Sequence, residues 1–487
     1  MRIFFATIVA VSGLMLAQAA HGQMNTAANR EARAIFQQLI EINTTDSVGD
    51  VTKAAEAMAK RLLDAGFAQS DVIVAGPNER KKNLVARYHG TGKRAPILFI
   101  GHLDVVEARR EDWSVEPFQF IESNGNFYGR GTRDMKSGDA ILVETFARLK
   151  REGYRPDRDL ILALTADEEG GDYNGIDWLI KEHRNWIDAQ YCINLDGGEF
   201  EKLRGKRILA GLQASEKVYA DYQLETTNPG GHSSVPGSLN AIYELAEALT
   251  RLEKFSFPVH INEVTRGYFL QSASLTTGQL SADLHGAAKQ PPDATAIQHL
   301  SAMPYYNSLL RTTCVATMLT GGHAANALPQ MARATVNCRI FPGEDPEEIR
   351  KTLERVANDP GVKVTLKVDK TSDGRPIPAV TVPPSPLIPE VTSAYAETLG
   401  TMWPGLPVVP TMSTGASDGK YLRIAGIPTF GIACMFFDME DDRSHGKDER
   451  VEVQDFYDGV EFGYRFVKTL SGEGAAVKEK PISKAPV

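Results

Sequence analysis

The chain has 487 residues, 42% of them hydrophobic and 24% charged, enough to bury the cores of two or three domains. Its formal charge is -9, from 62 acidic and 53 basic residues, and no Lys/Arg stripe interleaved with aromatics occurs, which argues against a nucleic-acid partner. The cysteines, at 192, 314, 338 and 434, form no Cys-x-x-Cys pair, which excludes a cysteine metal site. Cys314 and Cys338 flank a turn near Asn326 about symmetrically, so a cross-strand disulfide and two buried thiols both stay open.

At the start, Met1-Arg2 leads an apolar run from Ile3 to Ala17, followed by small residues around Ala17 to Gly22. A basic lead, a run short for a bilayer span and a small-residue end predict a signal peptide over 1–22 and a secreted or periplasmic chain. No other stretch is long and apolar enough to span a bilayer, so no membrane partner is expected after cleavage. Helical spacing covers 26–42 and 51–66, and Asn83 to Tyr88 reads as a strand. Continuous apolar runs at Pro96 to Ile100, Leu160 to Leu164, Tyr191 to Leu195 and Pro428 to Ala433 predict strands buried on both faces. Chemistry-bearing residues follow these runs: His102 and Asp104, Glu168 and Glu169, Asp196, and in the last loop His445. Asp134 precedes a helix predicted over Ser137 to Arg151. Such residues after the carboxyl ends of buried strands, with helices between, place one cluster at the edge of an α/β sheet.

From Gln213 to about Gly374 the pattern changes. Strands are predicted at Lys217 to Glu225, Thr312 to Leu319, Ala332 to Ile340 and Val362 to Val368, with helices at Leu239 to Lys254 and Pro346 to Asn358. The order βαββαβ is that of a ferredoxin-like sandwich, so an inserted second domain is expected. Residues 265–310 exceed that unit and read as a partly helical excursion with a linker at Gln290-Pro291-Pro292. The expected division is a leader over 1–22, a catalytic domain over 23–213 and 375–472, an inserted domain over 214–374, and a disordered tail over 473–487.

Two imidazoles and several carboxylates in one cluster suit zinc, or less often manganese or cobalt. In order along the chain they form His102-Leu103-Asp104, Gly129-Arg130-Gly131-Thr132-Arg133-Asp134-Met135-Lys136, Asp167-Glu168-Glu169, Asp196-Gly197-Gly198 and a late His445. This ordered set resembles the dinuclear zinc family of glutamate carboxypeptidase, acetylornithine deacetylase, succinyl-diaminopimelate desuccinylase, aminoacylase and carnosine dipeptidase. A lone His-x-Asp carries nothing; five motifs in order around a ferredoxin-like insertion make a specific signal.

The resemblance implies an α/β fold whose mostly parallel sheet is flanked by helices, with an inserted α+β lid that also dimerises. It implies two Zn2+, with Co2+ or Mn2+ as substitutes, and Asp134 bridging them. His102 and Asp196 would complete one metal, Glu169 and His445 the other. Glu168 would be the general base, and Asp104 would hydrogen-bond the His102 ring and fix its tautomer. His232, in Gly230-Gly231-His232-Ser233-Ser234, would reach the partner's site in a homodimer. Asn326, Arg339 and Arg375 would hold a substrate carboxylate, and the turn at Gly415 would face substrate with its amides. One departure from the pattern is Asp139, an added carboxylate that either favours the positive helix end or alters metal choice. The acidic run Asp438 to Asp442 reads as a solvated loop. The expected activity is exopeptidase action on short peptides or dipeptides beside a free carboxylate. The alternatives are N-acyl amino acid deacylation and a non-catalytic peptide-binding relative, against which the intact Glu168 and ligand set argue.

Overall fold

The computed structural model of the protein describes residues 26–368 and 380–472. The leader over 1–22, Arg375 and the tail over 473–487 lie outside the described residues. The chain divides into two compact units. One holds the residues up to Gly211, Leu387–Val408 and those from Gly431 on, and the other Leu212–Pro386 and Val409–Phe430.

In the first unit the strands Val72–Ala75, Asn83–Tyr88, Leu160–Thr165, Ile97–His102 and Tyr191–Asn194 lie side by side in that order. The last three run parallel, while Asn83–Tyr88 and Val72–Ala75 join antiparallel. Every residue of Ile97–His102 and Leu160–Thr165 is buried, as their unbroken apolar runs require. The register sets His102 opposite Thr165, and Ile100 opposite both Ala163 and Asn194. The three parallel strands therefore end together at one edge, which is what gathers residues separated by a hundred positions in sequence. Helices Ala27–Glu41, Lys136–Arg151 and Val453–Ser471 pack on one another. Thr26 starts the first of them by accepting the Asn29 N–H at 3.1 Å. Phe36, Phe127 and Phe456 pack with ring centroids 4.8–6.0 Å apart, each ring contributing roughly 1.5–3 kcal/mol by burial.

The second unit is a four-stranded antiparallel sheet in the order Thr313–Gly321, Met331–Ile340, Val218–Thr227, Val362–Leu366. Helices Ala241–Glu253 and Pro346–Ala357 supply the two crossovers, which completes the expected ferredoxin-like arrangement. Its core contains Tyr222, Leu224, Leu245, Val336, Ile340 and Leu353. The excursion is four short helices, Glu263–Leu275, Gly278–Ala288, Ala294–Ser301 and Pro304–Leu310, with the Gln290 to Pro292 linker between the second and third. Cys314 and Cys338 are directly opposed on paired strands and form a disulfide, which settles the alternative left open by spacing. Cys192 and Cys434 are buried and lie outside any disulfide. Edge strand Thr313–Gly321 exposes Val315, Met318 and Leu319. Among the described residues no helix is long and apolar enough to cross a membrane.

Candidate metal centre

Five side chains converge where the parallel strands end. His102 is the last residue of its strand and 1% exposed. Its Nε2 lies 3.2 Å from Asp134 Oδ1 and 3.9 Å from Asp196 Oδ1. On the other side, His445 Nε2 lies 3.2 Å from Asp134 Oδ2 and 2.9 Å from Glu169 Oε1. Asp134 thus offers one oxygen to each imidazole. Two groups result, His102–Asp134–Asp196 and Asp134–Glu169–His445, and in each the ligand atoms lie within 4.8 Å of one another.

Electrostatics tests whether this set fits a cation. Burial disfavours charge on His102, yet Asp104 and Asp134 hold its imidazole well above the ordinary value. Hydrogen bonds to Asp134 and then Glu169 bring His445 up to about 10. Against the burial that would raise it, His102 and His445 hold the Asp134 carboxyl far below the carboxylate range. The carboxylates raise both imidazoles because they gather negative charge at one place, where a divalent ion with neutral imidazoles as ligands would fit. The mixture of carboxylate oxygen and imidazole nitrogen fits zinc.

Local structure explains how each group arrives. Gly131, in the turn leading to Asp134, has φ of +88°, and a Cβ there would meet Val105 Cγ1 at 2.9 Å, so only glycine suits. After Asp134, the fully buried Lys136 donates to the carbonyls of Leu39 at 2.9 Å and Ile42 at 2.8 Å, tying the turn to the first helix. Burial pushes the Lys136 ammonium down to about 7. Asp139 lies in the first turn of the helix Lys136–Arg151 and is shielded from solvent. It is fully buried, and a Cβ on Gly101 would lie 2.3 Å from its Oδ1, so Gly101 makes its space. Burial pushes the Asp139 carboxyl well above the ordinary value.

Asp104 meets the His102 ring chiefly through its main chain. His102 Nδ1 meets the Asp104 backbone carbonyl at 3.0 Å, while the carboxylate stands 3.6 Å away. The carboxylate instead accepts the N–H groups of Glu168 at 3.2 Å and Glu169 at 3.0 Å. One residue therefore orients His102 through its main chain and the Glu168-Glu169 turn through its side chain. That turn is entered through Asp167, whose φ is +59° and whose carboxylate pairs with the buried Lys81 and accepts the Tyr173 N–H at 3.2 Å.

Within the second unit, His232 and Asn326 come together. Gly231–His232 pairs with Ala327–Leu328, and Ser233 N–H donates to the Asn326 carbonyl at 3.1 Å. His232 is exposed, and its Nδ1 sits 2.7 Å from Ser234 Oγ. Arg339 is not brought to this pair: it lies near the opposite end of Met331–Ile340, roughly 26 Å from Met331 at the usual strand rise. There its guanidinium stacks 4.8 Å from the Tyr219 ring centroid. The Gly415 turn uses its amides internally, with Gly415 N–H on Ser413 Oγ at 3.0 Å and Gly419 N–H on Ser417 Oγ at 3.2 Å. The acidic run is tied down by cations, Glu440 by Arg204 and Asp441 by Arg443 and Arg450. Sequence patterning assigns no role to Lys81, Lys136 or Glu449, because a buried charge leaves no periodic trace; Glu449 merely ends the stretch that holds His445.

The family model described as Peptidase family M20/M25/M40 matches residues 98–469. A probable carboxypeptidase S-like 2 of Dictyostelium discoideum is 29% identical over 385 residues, covering 77% of this chain and 71% of that one. The mouse N-fatty-acyl-amino acid synthase/hydrolase PM20D1 is 27% identical over 392 residues, covering 77% and 74%. Among solved structures, the M20 family metallo-carboxypeptidase Sso-CP2 of Sulfolobus solfataricus superposes with a TM-score of 0.67 at 17% identity, covering 90% of this chain and 99% of that one.

Proposed function

We propose that this chain, which belongs to peptidase family M20/M25/M40, is an exported zinc exopeptidase that cleaves the amide bond beside a free carboxylate in dipeptides or short peptides. The observation that carries this reading is Asp134, one oxygen toward each of two imidazole-bearing triads, beside a Glu168 whose main chain is anchored. Two zinc ions, one held by His102, Asp134 and Asp196 and the other by Asp134, Glu169 and His445, would lower the pKa of a water and polarise the scissile carbonyl.

The protein's own groups do the rest. Glu168 is half-buried just past the strand end, and its main-chain N–H donates to the Asp104 carboxylate. It takes the proton of the attacking water and returns it to the leaving amine, so one carboxylate serves as base and then as acid. His232 has Nδ1 engaged by Ser234 and offers Nε2 as a donor to the oxyanion of a second copy's substrate. Asn326, beside it, and Arg375 take the substrate carboxylate, whereas the Tyr219 stacking of Arg339 supports a structural role for that residue. The trans role of His232 calls for a homodimer through the second unit, and the apolar edge strand with Val315, Met318 and Leu319 supports it. Export is supported by the signal-like run Ile3 to Ala17 and by the Cys314–Cys338 disulfide, which an oxidising compartment sustains.

A second reading, hydrolysis of N-fatty-acyl amino acids, is favoured by the name of the mouse relative and by the helical excursion, which exposes Leu270, Leu275 and Tyr305. The deciding experiment incubates zinc-loaded protein with dipeptides, with longer peptides bearing free or amidated C-termini, and with N-acetyl and N-long-acyl amino acids, using chelated protein as control. Release of amino acid from free-carboxylate peptides, lost on amidation and on chelation, is expected. Turnover confined to long-acyl amino acids would replace the peptidase reading with the second. Silence across the panel with two metals bound would overturn both.

A further inference from the structure

Glu449 lies four residues after His445 and is fully buried, and its carboxylate is met by four donors. Oε2 accepts from Arg130 Nη1 at 2.6 Å and from Gly131 N–H at 3.0 Å, and Oε1 accepts from Arg133 N–H at 2.6 Å and from Asp134 N–H at 3.0 Å. Three of those donors are consecutive or near-consecutive amides of the turn that presents Asp134, the last being the amide of Asp134 itself. In return, the Glu449 carbonyl accepts the Gly129 N–H at 3.1 Å.

Arg130 closes the arrangement from the other side. It is 2% exposed, and its Nη2 donates to the carbonyls of Gly446 at 3.0 Å, His445 at 3.4 Å and Glu107 at 3.4 Å. Its guanidinium lies 5.0 Å from the Trp113 ring centroid. Just beyond, Arg450–Glu452 pairs antiparallel with Asn126–Tyr128, so the two segments stay joined after the buried ion pair. The Asp134 turn holds the tail of the His445 loop, and the His445 loop holds the amides of the Asp134 turn.

We propose that the Arg130–Glu449 pair is a clamp that sets the distance between Asp134 and His445, and so the affinity of the Asp134–Glu169–His445 half of the centre, without touching metal or substrate. The inference rests on the ligand assignment proposed above. Its selectivity follows from where the ligands stand. His102 ends a strand and Asp196 follows one, both placed by the sheet. In the other half, two of three ligands sit on turns that reach each other through Arg130 and Glu449. A buried, hydrogen-bonded ion pair is a poor source of net stability but a stringent geometric constraint, because a mispositioned partner leaves a charge unpaired.

Arg130→Lys keeps the charge and loses the fork that spans Glu449 and the Gly446 carbonyl. Glu449→Gln keeps the shape and turns an NH2 toward amide donors. Each substitution is made in wild type, in His102→Ala, where only the loop half keeps its full ligand set, and in His445→Ala, where only the strand half does. Apo protein is titrated with zinc against a chromophoric chelator, and apo melting temperature is read alongside. Arg130→Lys is expected to weaken zinc binding by roughly 10–100-fold in the His102→Ala background, the usual cost of losing support behind a ligand. A much smaller change is expected in the His445→Ala background, with the same fall in apo melting temperature in both backgrounds. Equal weakening in the two backgrounds, or none in either, overturns the clamp. Wild-type protein that takes up fewer than two zinc equivalents overturns the ligand assignment, and the clamp with it. Should Glu449→Gln fail to fold, Arg130→Lys decides alone.

Discussion

The two halves of the centre share Asp134 and are built by opposite means. In one, His102 is 2% exposed in its side chain and is set by a strand whose every residue is buried. In the other, the His445 side chain is 53% exposed, its backbone has φ of +60°, and it stands on an irregular stretch between Phe436–Asp438 and Arg450–Glu452. The sheet edge places a ligand by hydrogen-bonded register, at no local cost. A loop needs dedicated side chains, here Arg130, Glu449 and the Asp104 carboxylate behind Glu169. Precision in an irregular segment is supplied by buried charge.

Asp134 belongs to both halves, so its loss has the largest effect. Asp134→Ala should remove both metals from isolated protein and take turnover below detection; metal analysis showing one tightly held ion would mean that the halves are independent. Next in size is Glu168→Gln, expected to lower kcat roughly 100–10,000-fold with metal content unchanged. A parallel loss of metal would move Glu168 from proton transfer to ligation.

Asp104→Asn sharpens the contrast, since the Asp104 main chain serves the strand half and its side chain the loop half. The His102 contact to the carbonyl survives, while one acceptor of the Glu168 and Glu169 amides becomes a donor. Zinc affinity should fall roughly 10–100-fold for the half containing Glu169 and less for the other, as read by chelator competition. Equal losses would show that the carboxylate at 3.6 Å matters to His102 after all.

The smallest effect concerns a buried acid with neither a ring of amides nor a metal triad. Glu144 is fully buried, its oxygens accept no hydrogen bond among the described residues, and the nearest cation, Arg151, stands at 3.9 Å. Burial pushes its carboxyl up to about 7. Because the folded value lies above the unfolded one, the contribution to stability is present below about pH 4.5 and is lost as pH rises through about 7. Glu144→Gln should therefore stabilise the protein at pH 8 by up to roughly 3 kcal/mol and change little near pH 4, seen as a shift in Tm at the higher pH alone. A destabilised variant at pH 8 would mean that Arg151 closes on Glu144 and does for it what Arg130 does for Glu449.

Sequence alone placed the residues that follow the buried strands. Runs such as Ile97-Leu98-Phe99-Ile100 read as strands buried on both faces, and a parallel sheet then brings whatever follows them to one edge, so His102, Glu168, Glu169, Asp196 and, in the last loop, His445 were legible in the sequence. The βαββαβ order of the second unit was legible for the same reason, since period and element order are local properties of the chain. Tertiary structure alone decided that Asp104 serves two masters, that Asp139 is a core residue under Gly101, that Arg339 stacks on Tyr219 far from His232, and that Glu449 stands behind Asp134. Each of these turns on the partner of a single polar group. A hydrophobic pattern repeats along the chain and so announces itself, whereas a buried charge is defined by the few atoms around it, brought together only once the chain has folded.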